Sequence, residues 1–403
     1  MRLPASRPGR PALDAEDVLA ELVRRDSSNP PGLEPNVAET LAELLEGIGF
    51  EVRLDPVLGE RANLHAWLGA PEGGLAFVSH LDTVPAGEGW DSEPWEPVVR
   101  DGALTGLGAC DPKASFAAFA AAAATLVQEG WRPRHGLRLV GLIDEEERQT
   151  GVRAWVERAE REELPAFAIV GEPTGLDVVC AHKGDLYLEV EFRGAAAHSS
   201  DPEAGASALY AAAELTSEIE RLQGDADQLF EPRHPLTGLG TWSVGVAWGG
   251  KGISIVPEQA TVQVDRRFNP SDDPERSIEV VRRAAERIAD RRAGITAETR
   301  TLQIAPAMET DPSLPAVVAL LDAAAASTDR REPIGWGATC DANMLAEAGV
   351  PVVVFGPGDL FAAAHRPNES VSLAELRAAV EVFGAAIPCI DAAIADQGQG
   401  GAA

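Results

Sequence analysis

The chain has 403 residues, of which 45% are hydrophobic and 24% charged, and its formal net charge is −30. That length exceeds one typical core and predicts two domains, while the composition is that of an ordinary globular protein. The acidic balance excludes nucleic acid and anionic membrane as natural partners, and no apolar run is long enough to span a bilayer.

The N-terminal MRLPASRPGRPALDAEDV carries arginines with no apolar stretch behind them. It does not read as a secretory leader, so the cytoplasm is the expected compartment. Cys110, Cys180, Cys340 and Cys389 are scattered with no CxxC pair, which suits reduced packing residues. Residues 14–50 read as a helix, the loop RDSSNPPGLEPN and an amphipathic helix, VAETLAELLEGIGF, that closes on a glycine. Strands are predicted near 50–54, 63–69 and 75–80. The segment SFAAFAAAAATLVQEG reads as a helix of very small residues, able to lie close against a sheet. This alternation predicts a mostly parallel α/β sheet.

Near residue 180 the style changes. AHKGDLYLEVEFRG alternates apolar and polar residues with period two, the mark of a half-buried antiparallel strand. Helix GASALYAAAELTSEIERL, strands GTWSVGVAWGG and QATVQVDRRF, helix PERSIEVVRRAAERIADRR and strand GITAETRTLQIA follow. Then helix LPAVVALLDAAAA and strand VPVVVFGPG resume the first style. The expected organisation is a catalytic domain over 1–180 and 305–403, interrupted by a smaller α+β domain over 181–304. The tail ADQGQGGAA is expected to be disordered.

Four apolar runs carry the chemistry. LAFVSHLDT, LRLVGLIDEEE, FAIVGEPT and VPVVVFGPG each end near residues that bind hard or borderline metal ions. Parallel strands would deliver these tips to one sheet edge, where open α/β sheets place their sites. His80 and Asp82 form His-x-Asp, which suits a ligand imidazole backed by a carboxylate, or a structural histidine beside a turn aspartate. Asp111, in GLGACDPK, opens the alanine helix either as its N-cap or as a carboxylate shared between two ions. Pro112 permits a cis bond there at little cost. Glu145 and Glu146 are adjacent acids at a strand end. One can bind metal while the other takes a proton from metal-activated water; the alternative is a solvated acidic turn. Glu172 and His365 complete a set of two histidines and three carboxylates, suited to two zinc-like ions about 4 Å apart. In the inserted region, His198 sits at a strand end, and Arg267 can clamp a carboxylate or pair with Asp265.

In this order, SHLDTVPAGEGW, GLGACDPK, DEE followed by Gly151, GEPT, AHSSDPEAG and AHRPNE resemble the M20 metallopeptidase family over nearly the whole chain. The resemblance implies a di-metal hydrolase with an inserted lid and dimerisation domain. His80, Asp111 and Glu172 would hold one ion and Asp111, Glu146 and His365 the other, with zinc expected and cobalt or manganese as alternatives. Glu145 would be the general base and acid, Asp82 would orient His80, and His198 would stabilise the oxyanion across a homodimer. Arg267, Ser254 and Lys183 would meet a small substrate bearing a free carboxylate. A cis bond is expected after the bridging aspartate. Ser254 stands where the family usually has Asn, and Pro112-Lys113-Ala114-Ser115 replaces Met-Lys-Gly-Gly. AHKG leans towards acetylornithine deacetylase, hence towards amide cleavage of an N-acyl amino acid. The competing expectations are a dipeptidase or carboxypeptidase, or a non-hydrolytic metal-binding member.

Overall fold

The computed structural model describes residues 13–224 and 233–399. It divides into two compact units. The first comprises residues through Cys180, Thr310–Ile334 and the chain from Cys340 onward; the second comprises Ala181–Glu309 and Gly335–Thr339.

The core of the first unit is one sheet whose neighbouring strands are Glu51–Leu58, Arg61–Leu68, Leu137–Leu142, Leu75–His80, Phe167–Val170 and Val352–Val354. The last four are mutually parallel, and the outer hairpin of Glu51–Leu58 and Arg61–Leu68 is antiparallel. Every residue of those four parallel strands is buried. This explains their continuous apolar reading, because both faces of such a strand are covered. Being parallel and adjacent, they end at one edge.

Helix Lys113–Gln128 lies against this sheet and is buried along almost its whole length, as its alanines allow. Phe77 stacks on Phe119 with ring centroids 4.4 Å apart, and Phe383 meets both rings edge-on. Each such pair contributes about 1 kcal/mol beyond its buried area. Helix and sheet are in close contact at the functional edge. A Cβ on Gly356 would collide with Ser115 and with the backbone of Glu172, so only glycine fits there. A small three-stranded sheet, Val98–Arg100, Ala103–Thr105 and Ser370–Ser372, ties the loop before Lys113–Gln128 to the chain after His365.

The second unit is a four-stranded antiparallel sheet in the order Thr241–Gly249, Gln259–Phe268, Gly184–Arg193, Thr296–Ala305. Helices Ala208–Gly224 and Pro274–Asp290 cover one face around Leu188, Val190, Val262, Leu215 and Val281. The run AHKGDLYLEVEFRG, expected as one strand, is two: Val179–His182 pairs in the first unit's sheet, and Gly184–Arg193 begins the second. The break falls at Lys183, and Gly184 opens the second strand at a place where a side chain would meet Phe268 and the Ala305 carbonyl.

The closing helix Leu373–Gln399 runs through residues expected to be disordered, so the tail is helical to Gln399. Residues 1–12 and 400–403 lie outside the described residues. Among the described residues, no helix is long and apolar enough to cross a membrane.

Candidate metal centre

The carboxyl ends of the parallel strands gather one cluster. His80 is the last residue of Leu75–His80, Glu145 and Glu146 lie in the turn after Leu137–Leu142, and Glu172 lies just past Phe167–Val170. His365 follows the short helix Leu360–Ala363, beyond Val352–Val354. Asp111 reaches the same edge from the loop before Lys113–Gln128.

Asp111 stands at the middle. Its Oδ1 lies 3.2 Å from Nε2 of His80 and its Oδ2 lies 3.3 Å from Nε2 of His365. One carboxylate therefore faces two imidazoles, one oxygen each. Glu172 joins on the His80 side at 3.8 Å, and Glu146 on the His365 side at 3.1 Å. Asp111 does not cap the alanine helix, which has no side-chain cap. The Asp111–Pro112 bond is cis, as expected.

The supporting bonds refine Asp82. The His80 ring is oriented through Nδ1 by the backbone carbonyl of Asp82 at 2.9 Å, while the Asp82 carboxylate stands 3.6 Å from it. That buried carboxylate accepts hydrogen bonds from the backbone N–H groups of Glu145 and Glu146, each at 3.2 Å. It thus fixes the turn that presents both glutamates, beyond the orienting of His80 expected from the spacing.

Three further residues belong to this cluster, two of them holding its geometry, and were not singled out from the sequence. Asn29 Nδ2 donates to Asp82 at 3.0 Å and to Asp144 at 2.8 Å. Glu369, at the end of AHRPNE, accepts from the backbone N–H groups of Cys110 and Asp111 at 2.8 and 2.9 Å, so it sets the bridging loop. Asp341 is buried, and neither of its carboxylate oxygens has a hydrogen-bond partner. Burial pushes its pKa up to about 7. The available signals were an asparagine in a proline loop, a glutamate ending a recognised motif, and an acid opening a helix in an apolar stretch.

Electrostatics follow the crowding. Burial drives Glu145 and Glu172 well above the usual carboxylate range, and neighbouring acids add to it. Glu146 is also raised, chiefly by burial. Burial would raise Asp111 as well, but hydrogen bonds from His365 and His80 prevail and hold it low. Hydrogen bonds to Asp111 and Glu146 lift His365 to about 10. His80, Asp111 and Glu146 offer ligand atoms within 4.8 Å of one another. Imidazole nitrogens and carboxylate oxygens in this number fit divalent zinc-like ions.

The second unit holds the remaining candidates. His198 is exposed, and its Nδ1 accepts from the Ser200 backbone N–H at 3.2 Å, which assigns the ring proton to Nε2. The Ser254 carbonyl accepts from the Ser199 backbone N–H at 3.0 Å, so Ser254 and His198 lie on adjoining segments. The Arg267 guanidinium pairs with Asp265 at 3.0 Å and Asp185 at 3.5 Å and bonds the Tyr187 hydroxyl. The ion-pair alternative is thus what its contacts display. Lys183 is buried, and its Nζ donates to the Leu239 carbonyl at 2.6 Å.

The model of peptidase family M20/M25/M40 matches residues 76–388. An acetylornithine deacetylase of Myxococcus xanthus is 33% identical over 380 residues, 91% of this chain and 94% of that protein. A succinyl-diaminopimelate desuccinylase of Gluconacetobacter diazotrophicus is 29% identical over 392 residues, covering 93% and 97%. Among solved structures, aminopeptidase PepT from Bacillus cereus superposes with a TM-score of 0.77 at 23% identity, over 94% of this chain and 99% of that one. A dinuclear metal binding peptidase from the M20 family, the YXEP protein of Bacillus subtilis, gives 0.71 at 17% identity, over 94% and 97%.

Proposed function

This chain belongs to peptidase family M20/M25/M40 and is a metal-dependent amidohydrolase, and from that premise we propose that it hydrolyses the amide bond of an N-acyl amino acid in an acetylornithine deacetylase-like reaction. The observation that carries the proposal is the Asp111 carboxylate set between the two imidazoles, with Glu145 near His80 in the turn held by Asp82. His80, Asp111 and Glu172 would hold one divalent ion, and Asp111, Glu146 and His365 the other. Zinc suits these donors best, with cobalt or manganese as alternatives. Such ions, when bound, polarise a carbonyl and bring the pKa of water near neutrality.

The remaining steps belong to the protein's own side chains. Glu145 accepts a proton from the attacking water and later delivers it to the leaving amine nitrogen, a task suited to a carboxylate whose pKa burial has raised. Asp82 keeps that turn in register through the Glu145 and Glu146 amides. His198, with its proton on Nε2, would donate to the developing oxyanion, from the other subunit of a homodimer. Exposed Val246 and Trp248 on the edge strand Thr241–Gly249 support the dimer through the second unit. Arg267, Lys183 and Ser254 are assigned to the substrate's carboxylate and its surroundings; for Arg267 this means sharing its charge with Asp265. The enzyme would work in the cytoplasm, where Cys110, Cys180, Cys340 and Cys389 stay as the free thiols they are.

A second reading is a dipeptidase or carboxypeptidase, favoured by fold neighbours that are peptidases, such as human carnosine dipeptidase 1 and PepT. The metal-loaded protein assayed against a panel of N-acetyl and N-succinyl amino acids beside di- and tripeptides separates the two. Turnover of acyl amino acids is expected. Exclusive peptide cleavage would transfer the assignment, and hydrolysis of neither class would support a non-hydrolytic role.

A further inference from the structure

The strand Leu137–Leu142 ends at the metal centre, but its other end opens onto a separate cavity of about 270 Å³. Register places the floor. Trp67 lies opposite Arg138, and Arg53 lies opposite His65, so these side chains share one face of the three-stranded part of the sheet. Helix Thr150–Arg158 contributes Trp155 to the same cavity. Interior faces of such sheets are ordinarily apolar; here the face carries an arginine, a histidine and a tryptophan.

The arginines of the cavity differ in one respect. Arg53 is paired with Asp55 at 2.6 Å, and Arg158 donates to the Pro56 carbonyl at 2.7 Å. Arg138 is 7% exposed, its Nε is buried without a hydrogen-bond partner, and it has no ion pair among the described residues. A buried guanidinium without an acceptor is costly and is ordinarily matched by an anion. Burial lowers His65 to about 4, so the imidazole is neutral near pH 7 and the arginines supply the positive charge; Glu72 and Glu163 attract Arg138 electrostatically without bonding it. Exposed Glu72 and Glu163 line the same cavity. They would repel a dianion and would suit a ligand that also bears a cation. The indoles of Trp67 and Trp155 offer an apolar surface.

We propose that this cavity is a second ligand site for an α-amino acid, its carboxylate on the Arg138 guanidinium, its ammonium towards Glu72 and Glu163, and its side chain against Trp67 and Trp155. The site lies at the opposite end of the strand from the metal cluster and uses none of its residues. A fork of N–H donors matches a carboxylate bidentately; with Nε itself buried, the terminal nitrogens of Arg138 would supply it.

The test is isothermal titration calorimetry of the metal-loaded protein with the standard L-amino acids, with propionate, butylamine and inorganic phosphate as comparators. An amino acid held only at the metal centre would be insensitive to Arg138, so Arg138→Met separates the two locations. Glu72→Gln changes an exposed side chain and keeps the test sharp if Arg138→Met fails to fold. At least one amino acid is expected to bind the unaltered protein more tightly, by about tenfold or more against Arg138→Met and severalfold against Glu72→Gln. Propionate and butylamine should each bind more weakly than that amino acid. Absence of any amino-acid binding that depends on Arg138 or Glu72 would overturn the proposal, as would binding of phosphate in preference to every amino acid.

Discussion

The candidate residues of the two units stand in opposite conditions. In the first unit, His80, Asp111, Glu146, Glu172 and His365 converge within 3.8 Å contacts, and buried groups such as Asn29 and Glu369 hold their backbone in place. In the second, His198 is exposed and Arg267 is already paired with two aspartates. Rigid strand ends preorganise a reacting centre, whereas the residues proposed to meet the substrate sit on segments with other partners. His198 apart, which is proposed to touch the oxyanion, the second unit should therefore govern substrate choice more than the chemical step.

The sharpest way to break that contrast is Glu145→Ala. It should lower kcat by about 10²–10⁴-fold, as expected for loss of a general base, with metal content unchanged by elemental analysis. Turnover near the original rate would remove Glu145 from the reaction and leave the cluster a binding site only.

His198→Ala should cost about 10²-fold in kcat if the imidazole donates to an oxyanion. Mixing it with Glu145→Ala subunits tests where it acts. Activity regained in mixed dimers supports action across subunits, and none regained means His198 works, if at all, within its own chain.

Asn29→Ala probes the support beneath the centre. It removes the donor shared by the Asp82 and Asp144 carboxylates. A loss of about 10–100-fold in metal affinity or activity is expected, with about 1–3 kcal/mol of stability. An unchanged enzyme would show that Asp82 needs no such anchor.

The pH dependence of the metal-free protein gives a smaller effect with a definite sign. His365 has its folded pKa raised from 6.5 to about 10, so its contribution to stability is complete below 6.5 and is lost as pH rises through about 10. Glu145 and Glu172 are raised too, so they destabilise the fold as pH climbs above the ordinary carboxylate value of 4.5. Both directions agree. Melting temperature without metal should fall from near neutrality to pH 10, and bound divalent ions should reverse the trend, because the ligands must be deprotonated to bind them. A metal-free protein that grows more stable over that range would contradict the assignment of these residues.

The same contrast sorts what was legible in the sequence. The four apolar runs announced their strands and the edge where they end, because strands covered on both faces are mostly apolar until they leave the sheet, with Ser79 and Arg138 as exceptions. His80, Glu172 and the Glu145–Glu146 pair were legible for that reason. Asp111 required its motif, since it lies on a loop. Asn29, Glu369 and Asp341 stayed hidden because each acts across a long sequence separation: Asn29 reaches Asp144 over 115 positions. Asp82 was legible as a supporting residue, but its main contacts are to the Glu145 and Glu146 amides, which spacing alone does not reveal. The break at Lys183 was concealed by an unbroken alternation on both sides of it.

The central claim is that Asp111 joins two ion sites, and metal stoichiometry tests it most directly. The purified, zinc-reconstituted protein and its Asp111→Ala variant, each checked for an unchanged fold by circular dichroism, would be compared for bound ions per chain. Two ions per chain that fall to one or none in the variant are the predicted result. A single ion in the unaltered protein, or two retained in the variant, would contradict the bridge.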